Sequence, residues 1–485
     1  MPESSPTLVW FRQDLRLADN PALQAAIDRG QPCVALFVND REGEGSAAAG
    51  GAARWWQHHA LADLHAQLFE YGIPFVFAQG RAEKRVPELA GELRCGAVFW
   101  NRRYEPAVIE RDKQIKTLLK GSGHDVRSFN ASLLFEPHEV AQSSGEPFQV
   151  FSPFWRAVSR QGLPEPVESD PDAFQTLAAP DALRAHTEQV DESLDSLKLL
   201  PAIPWDRGFY RAWDPTATGA ERCLREFIDA NHLARYAEQR NYPDRESTSR
   251  LSPYLHHGQL SPRQIVAAVD SVCGAKKGVK KFIDEIGWRE FSYHLLYHFP
   301  DLPERALKPK WRAFPWEPNP DHRSSWERGE TGYPLIDAGM RELWTTGWLH
   351  NRLRMNVASF YTKHLFQPWW EGASWFFDTL VDADLASNSQ GWQWATGCGV
   401  DSAPYLRVFN PITQAEKFDA DGAYIRRWLP ELAKLEPPFI HRPWEAPEAT
   451  LREAGVSLGT TYPYPVVEHN DARQRAQTAF DNLDR

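Results

Sequence analysis

The strongest constraint in this chain is a change of hydrophobic period near residue 130. Before it, short apolar runs alternate with helical patterns. TLVWF (7–11), PCVALFV (32–38), PFVFAQ (74–79), GAVFW (96–100) and DVRSFN (125–130) have the length and the β-branched or aromatic content of buried strands. Between them, NPALQAAIDRG, AARWWQHHALADLHAQLFEYG and VIERDKQIKTLLKGSG carry helical spacing, and the last two close on glycines suited to a helix C-cap. Strands alternating with helices predict an α/β domain over residues 1–130: a parallel, five-stranded, Rossmann-like sheet covered on both faces. It contains no GxGxxG and no GxxxxGK[ST], so the dinucleotide fingerprint and the P-loop are both missing. A ligand at the carboxyl ends of the strands stays open on fold grounds alone.

Residues 131–205 are rich in Pro, Ser, Glu and Asp, as in QSSGEPFQVFSPF, LPEPVESDPD and LAAPDALRAH. Their composition predicts a long linker, partly extended over the surface. From 206 to 485 helical periodicity dominates and strand signals vanish, which predicts an all-α second domain. No internal repeat and no low-complexity tail follows. The total of 485 residues fits about two to four domains.

Several classes are excluded or disfavoured. No apolar run reaches membrane length. The N-terminus MPESSPTLVWF lacks a basic n-region and an apolar h-region, so a cytoplasmic protein is expected. Cysteines 33, 95, 223, 273 and 398 are scattered without CxxC spacing, which supports neither a disulfide framework nor a metal site. The net charge of −11 argues against a nucleic-acid partner for the surface as a whole, though a local basic patch can sit on an acidic protein. Of 20 tryptophans, 13 lie after residue 280. Each indole needs a deep slot and an N–H partner, so most are expected in the helical core, with a few free to act as stacking platforms or redox stations.

Four stretches of the helical region concentrate chemistry. In ESTSRLSPYLHHGQLSPRQ (246–264), Ser252-Pro253 and Ser261-Pro262 read as N-cap followed by proline, and Ser261 with Gln264 as a capping box. Thr248, Ser249 and Ser252 thus gather hydroxyls and free N–H groups near a helix start, an arrangement that serves either plain capping or phosphate oxygens. In FIDEIGWREF (282–291), Glu285, Trp288 and Arg289 share a helical face. In TGWLHNRLRMN (346–356), Asn351, Arg354 and Met355 do the same, while Arg352 points elsewhere. Finally, DADLASNSQGWQWATG sets Asp382 and Asp384 ahead of Asn388, Trp392 and Trp394. Buried carboxylates need cationic partners, and Arg289 and Arg354 are the candidates.

Taken together with WFRQDLRLADNPAL (10–23) and TGYPLIDAGMRELWTTGWLHNRLRM, these stretches follow one another as they do in a known family. From about residue 7 to 470 the chain resembles the photolyase/cryptochrome flavoproteins. The resemblance implies an N-terminal antenna domain and a helical domain holding FAD in a U-shaped conformation. Carried over by position, Tyr236, Thr248, Ser249, Leu251 and Ser252 are the FAD phosphate and adenylate contacts. Arg289, Asp382, Asp384 and Asn388 are the flavin-side contacts, with Arg354 the salt-bridge partner of Asp382. Trp392, Trp369 and Trp316 match the family's electron-transfer chain; Trp344 and Trp375 are open to a branch of it, with core packing the favoured reading.

Three branches of the family are open: CPD (cyclobutane pyrimidine dimer) photolyases, (6-4) photolyases and blue-light cryptochromes. The dimer-contact positions carry Glu285, Trp288, Asn351, Met355 and Trp394. Met355 stands where the (6-4) branch has a histidine, and Asn388 where plant cryptochromes have an aspartate. The chain also lacks the long tail usual in signalling cryptochromes. These features favour CPD repair, a carbon–carbon lyase reaction driven by excited reduced FAD on a flipped-out dimer. AFPWEPN, LIDAGMRELWTTGW and AGVSLGTTYPYPVVE are similar to the class III photolyases, sister to plant cryptochromes. Arg240 and Arg352, with Trp288 and Trp394, are the expected DNA contacts, and KKGVKK (276–281) adds positive field or is a solvated loop. The implied partner is UV-damaged DNA, with no membrane and no obligate protein partner, for a monomer. Folate and deazaflavin are the family's antenna options, and the class III resemblance makes methenyltetrahydrofolate the expected one; Glu110 matches a folate-binding carboxylate, although its usual Asn neighbour is Ile109. No metal is expected. A plain α/β nucleotide-binding protein with a helical appendage is the alternative outside the family.

Overall fold

A computed structural model describes residues 5–168, 170–229, 232–272, 276–403 and 405–483. Five strands form one parallel sheet: β1 (Thr7–Phe11), β2 (Cys33–Asn39), β3 (Phe75–Gln79), β4 (Ala97–Asn101) and β5 (Asp125–Phe129), in the order β3-β2-β1-β4-β5. Each lies within one residue of its expected position. The central β1 pairs with β2 on one side and β4 on the other, Thr7 opposite Cys33 and Ala97. Alternate residues feed two cores. Val9, Phe11, Phe37 and Phe77 pack under the Pro21–Arg29 and Gly51–Glu70 helices. Leu8, Trp10, Leu36 and Trp100 pack under the Ala82–Glu92 and Pro106–Gly121 helices. Covering on both faces is why these strands read as continuous apolar runs.

The carboxyl ends of β1 and β4 border a small cavity of about 10 Å³, lined by Asp14, Asn101, Arg103 and Glu105. Arg12 pairs with Asp112 at 2.8 Å and Arg111 with Asp40 at 3.2 Å, both arginines nearly fully buried. Asn101 donates to Asp14 and Asn20, and Arg103 pairs with Glu105 and Glu44. The guanidiniums of Arg12 and Arg111 also lie over the Trp10 ring. The chain's own ion pairs occupy most of the place where a fold of this type can take a ligand.

The stretch expected to be a linker is ordered by long-range packing. It carries the Phe151–Ser159 and Asp181–Val190 helices, and Phe154 and Val158 are buried against Phe291 of the Lys276–His298 helix. KKGVKK occupies the first turns of that helix rather than a loop.

The rest is helical. The Gly51–Glu70 helix faces it through Trp56, whose indole donates to Gln259 at 2.8 Å and meets the rings of Trp213 and Tyr254. Ser261 forms the expected capping box with Gln264. Ser252, by contrast, is the first residue of its helix, with Leu251 at the cap. Cysteines 33, 95, 223 and 398 are free thiols; Cys273 lies outside the described residues, as do the chain ends 1–4 and 484–485. Among the described residues no helix is long and apolar enough to cross a membrane, and no group of His, Cys, Asp or Glu could hold a metal ion.

Candidate functional site: a mixed-wall cavity in the helical domain

The four chemistry-bearing stretches meet around one cavity of about 530 Å³, a size suited to a cofactor. Tyr236, Ser249, Leu251 and Ser252 line one part of it, Asp382, Asp384, Arg289, Arg354 and Asn388 another, and Glu285, Trp288, Asn351, Met355 and Trp394 a third. Thr248, half-buried, does not line it.

Asp382 ends the connection that leads into the Leu385–Thr396 helix, and Asp384 caps that helix by accepting from Ser387 N at 2.6 Å. Asp382 is paired with Arg354 at 2.7 Å, as expected. Asp384 is not paired with an arginine: it accepts a short hydrogen bond from the Tyr293 hydroxyl. Burial and the Asp384 charge together push that phenol far above its ordinary range, so Tyr293 stays a donor. Arg289 pairs with neither aspartate among the described residues; it donates to Ser132 O at 2.6 Å and lies over the Tyr293 ring. Asn388 donates to Ala373 O at 2.9 Å, which pins its neutral amide to the cavity wall.

Three contributors were not singled out from the sequence. Arg250, inside TSRLS, adopts a left-handed backbone (φ 51°) and lies between the Trp213 and Trp348 rings; burial lowers its pKa. It follows Ser249 in the chain, and the indole of Trp348, whose ring it lies over, donates to Ser252 at 3.3 Å. His256 lines the cavity, and burial lowers its pKa, holding it neutral; its Nδ1 has no partner. Phe151 stacks on Trp288 at 4.0 Å with the planes 9° apart, fixing an indole at the cavity wall. The signals in the sequence were Arg250 and His256, both within the stretch 246–264.

At the rim, Glu285 pairs with Arg240 and, at 3.1 Å, with Lys281. Asn351 Nδ2 lies 4.0 Å from Met355 Sδ, and the Trp394 indole donates to Asp401 O at 3.1 Å. Arg352, as expected, leaves the Asn351 face: it donates to Asn241 and lies over the Phe418 ring. A chain of net charge −11 therefore presents Arg240 and Lys281 at the cavity mouth and Arg352 beside it.

Trp392 lines the cavity and is 2% exposed. It is caged edge-on by Phe376 (5.1 Å), Tyr361 (6.0 Å) and Trp326 (6.1 Å), and its indole N–H has no acceptor. Trp369, also buried, begins the Trp369–Thr379 helix that packs on the Leu385–Thr396 helix. It contacts Trp370 at 5.9 Å, and Trp370 contacts the half-buried Trp316 at 6.4 Å. Trp344 and Trp375 are stacked, 6.0 Å and 9° apart. Core packing was expected of both, yet Trp344 is 51% exposed because its helix turns this residue outward.

A second cavity, of about 300 Å³, lies between the Gly51–Glu70 helix and the helical domain, walled by Trp205, Phe209 and Trp344 with Arg54 and Asp378. Glu110 is far more open. It is 67% exposed on the Pro106–Gly121 helix, pairs with Lys113 and lines neither cavity.

A doubly covered parallel sheet joined to a helical cradle, whose cavity has ionic, hydroxylic and aromatic walls, defines a protein that holds a large, part-polar, part-flat cofactor. Family profiles agree: that for DNA photolyase matches residues 7–172 and that for the FAD binding domain of DNA photolyase matches 282–482. A deoxyribodipyrimidine photo-lyase of Agrobacterium fabrum is 45% identical over 481 residues, 99% of this chain and 98% of that protein. Cryptochrome-1 of Arabidopsis thaliana is 39% identical over 98% of this chain and 70% of its own length. The crystal structure of a bacterial class III photolyase from Agrobacterium tumefaciens superposes with a TM-score of 0.93 at 44% identity, covering 100% of this chain and 98% of that one. The chain belongs to the photolyase/cryptochrome family, and it carries that family's FAD-binding domain.

Proposed function

We propose that this protein is a light-driven DNA repair enzyme, a deoxyribodipyrimidine photo-lyase of class III that splits cyclobutane pyrimidine dimers. One observation carries the reading: Trp288, Trp394, Glu285 and Asn351 share a cavity with Asp382, Arg354 and Asn388. Dimer-contacting and cofactor-holding groups therefore lie side by side.

The residues present fit FAD. Ser249 and Ser252, which line the cavity beside Arg250 in the chain, suit the pyrophosphate. His256, buried with a free Nδ1, suits a hydroxyl or ring nitrogen of the cofactor, since an unpaired buried polar atom is costly unless a ligand satisfies it. Asp382 and Asp384, held by Arg354 and Tyr293, accept from ribose and ring N–H donors. Bound reduced FAD supplies, on excitation, the electron that splits the dimer and takes it back.

The chain's own residues do the rest. Trp288 and Trp394 wall the flipped dimer, and flipping costs least at a lesion that stacks poorly. Glu285 and Asn351 meet its base edges, with Met355 beneath them. Arg240 and Arg352 meet the flanking phosphates; because Arg240 already pairs with Glu285, phosphate binding and base-edge contact are coupled through one guanidinium. Asn388 offers a neutral amide, which suits the anionic reduced cofactor that repair requires. Trp392, Trp369 and Trp316 deliver electrons for reduction. In this reading residues 1–130 form the antenna domain, 131–205 join the two parts and 206–485 hold FAD and DNA, in a cytoplasmic monomer. Methenyltetrahydrofolate is our proposed antenna, and the aromatic-walled cavity with Arg54 fits a flat anion better than exposed Glu110 does.

The test is repair of separately prepared CPD and (6-4) substrates by reduced, illuminated protein. Loss of the CPD substrate alone supports the reading. Intact dimers alongside normal flavin photoreduction favour a cryptochrome-type photoreceptor, a reading to which the plant cryptochrome similarity gives weight. Met355→His alone is expected to confer no (6-4) activity.

A further inference from the structure

We infer that Gly372 sets the position of the Trp392 ring against the helix that begins at Trp369, and so governs how efficiently electrons reach the cavity. The inference rests on the reading of Trp392 as the donor beside the cofactor.

Gly372 lies in the interior of the Trp369–Thr379 helix, and its φ is outside the left-handed region. Backbone freedom therefore does not explain it, and a helix-interior glycine costs about 0.5–1 kcal/mol relative to alanine. Close approach does explain it. A Cβ on residue 372 would fall 2.6 Å from Cζ3 and 2.9 Å from Cζ2 of Trp392, and closer still to Cη2. The benzo edge of the indole thus rests directly on the helix backbone. Trp369 stands one turn earlier on the same helical face, so no side chain at 372 comes between the Trp392 ring and the turn that starts at Trp369.

The ring has little room to retreat, being caged by Phe376, Tyr361 and Trp326. No hydrogen bond fixes it, because its N–H has no partner. Packing alone decides where it sits, and Gly372 is the tightest element of that packing. An added methyl forces the indole toward the open cavity and away from Trp369.

Trp392 gives one electron to the excited oxidised cofactor. Trp369 refills Trp392, Trp316 refills Trp369, and an external thiol refills Trp316. Two such passages and one proton from solvent complete the reduction to the anionic reduced form.

The experiment uses full-length protein with its FAD. Photoreduction per bound FAD is followed under blue light with dithiothreitol in wild type, Gly372→Ala, Trp392→Phe and the double variant, together with the Tm of each. Gly372→Ala is expected to lose most of the photoreduction rate and to melt lower. The double variant, whose smaller phenyl ring makes room for the methyl, is expected to recover the melting temperature of Trp392→Phe without recovering photoreduction. If Gly372→Ala fails to fold while the double variant folds with FAD, the overlap with Trp392 is equally established. A wild-type photoreduction rate in Gly372→Ala, beside a slow Trp392→Phe, overturns the inference alone, as does a double variant that stays as unstable as Gly372→Ala. A wild-type rate in Trp392→Phe overturns the donor reading and the inference with it.

Discussion

Charged side chains converge below the surface in two regions of this molecule. At the carboxyl ends of the central strands, Arg12 meets Asp112, Arg111 meets Asp40 and Arg103 meets Glu105, and the ion pairs fill the space between them. In the helical domain, Arg354 meets Asp382 on the wall of an open cavity, where His256 Nδ1 and Trp392 Nε1 are buried without partners. Buried charge alone therefore does not mark a ligand site. Unpartnered atoms do not mark it either, since among the described residues Trp10 Nε1 and Arg12 Nε are also buried without partners; what separates the two regions is the volume their polar groups face, about 530 Å³ in the helical domain against about 10 Å³ at the strand ends. The α/β domain has the topology of a nucleotide binder with its crevice narrowed to a small cavity, and the FAD-binding domain is the other one.

That contrast can be broken most sharply at Arg111. Arg111→Ala leaves Asp40 buried without its arginine and is expected to cost about 3–5 kcal/mol in urea unfolding with no change in FAD per folded chain. A loss of FAD at normal stability would mean that the crevice is itself a cofactor site. The mirror experiment is Asp382→Ala. It frees Arg354 and is expected to weaken FAD binding on the order of a hundredfold, about 3 kcal/mol, read by flavin fluorescence on dilution. Next in size, Trp288→Ala and Trp394→Ala should each lower affinity for dimer-containing DNA by about 1–3 kcal/mol, measured by anisotropy, while FAD content holds.

The smallest effect is a pH dependence at Glu290. Burial raises this carboxyl from its ordinary 4.5 to about 7, although it accepts from Leu134 N and Phe135 N and lies beside Arg289. A raised folded-state pKa contributes stability that is full below pH 4.5 and lost as pH rises through 7. Glu290→Gln, which stays neutral, should therefore gain on the wild type across that window, by about 1–3 kcal/mol at pH 8, in denaturant titrations at stepped pH.

The sheet was legible because burial on both faces writes each strand as an apolar run, and only strand ends shifted by a residue. The segment after it was misleading. Its Pro- and Ser-rich composition reads as linker, yet Phe151 stacks on Trp288 and Phe154 joins Phe291, contacts across more than a hundred positions that no local pattern encodes. The same holds at the site. Helical spacing grouped Glu285 with Trp288, and Asn351 with Met355, but bringing those faces together came from the family resemblance. Tyr293 at Asp384, 91 residues apart, and Arg250 between Trp213 and Trp348 depend on tertiary packing alone. The rule that buried charges come in pairs left Arg289 and Arg354 both open as partners of the aspartates, and the resemblance singled out Arg354 for Asp382. The alternative pairing with Arg289 failed because Ser132 O and the Tyr293 ring already hold that guanidinium.

The most direct measurement is the yield of intact pyrimidines from a defined cyclobutane dimer in duplex DNA, with chemically reduced protein, in light and in darkness. The account predicts dimer loss only in light, abolished when FAD is removed and absent for a (6-4) lesion. Dimers that persist under illumination, while the bound flavin is reduced and DNA is bound, would contradict it.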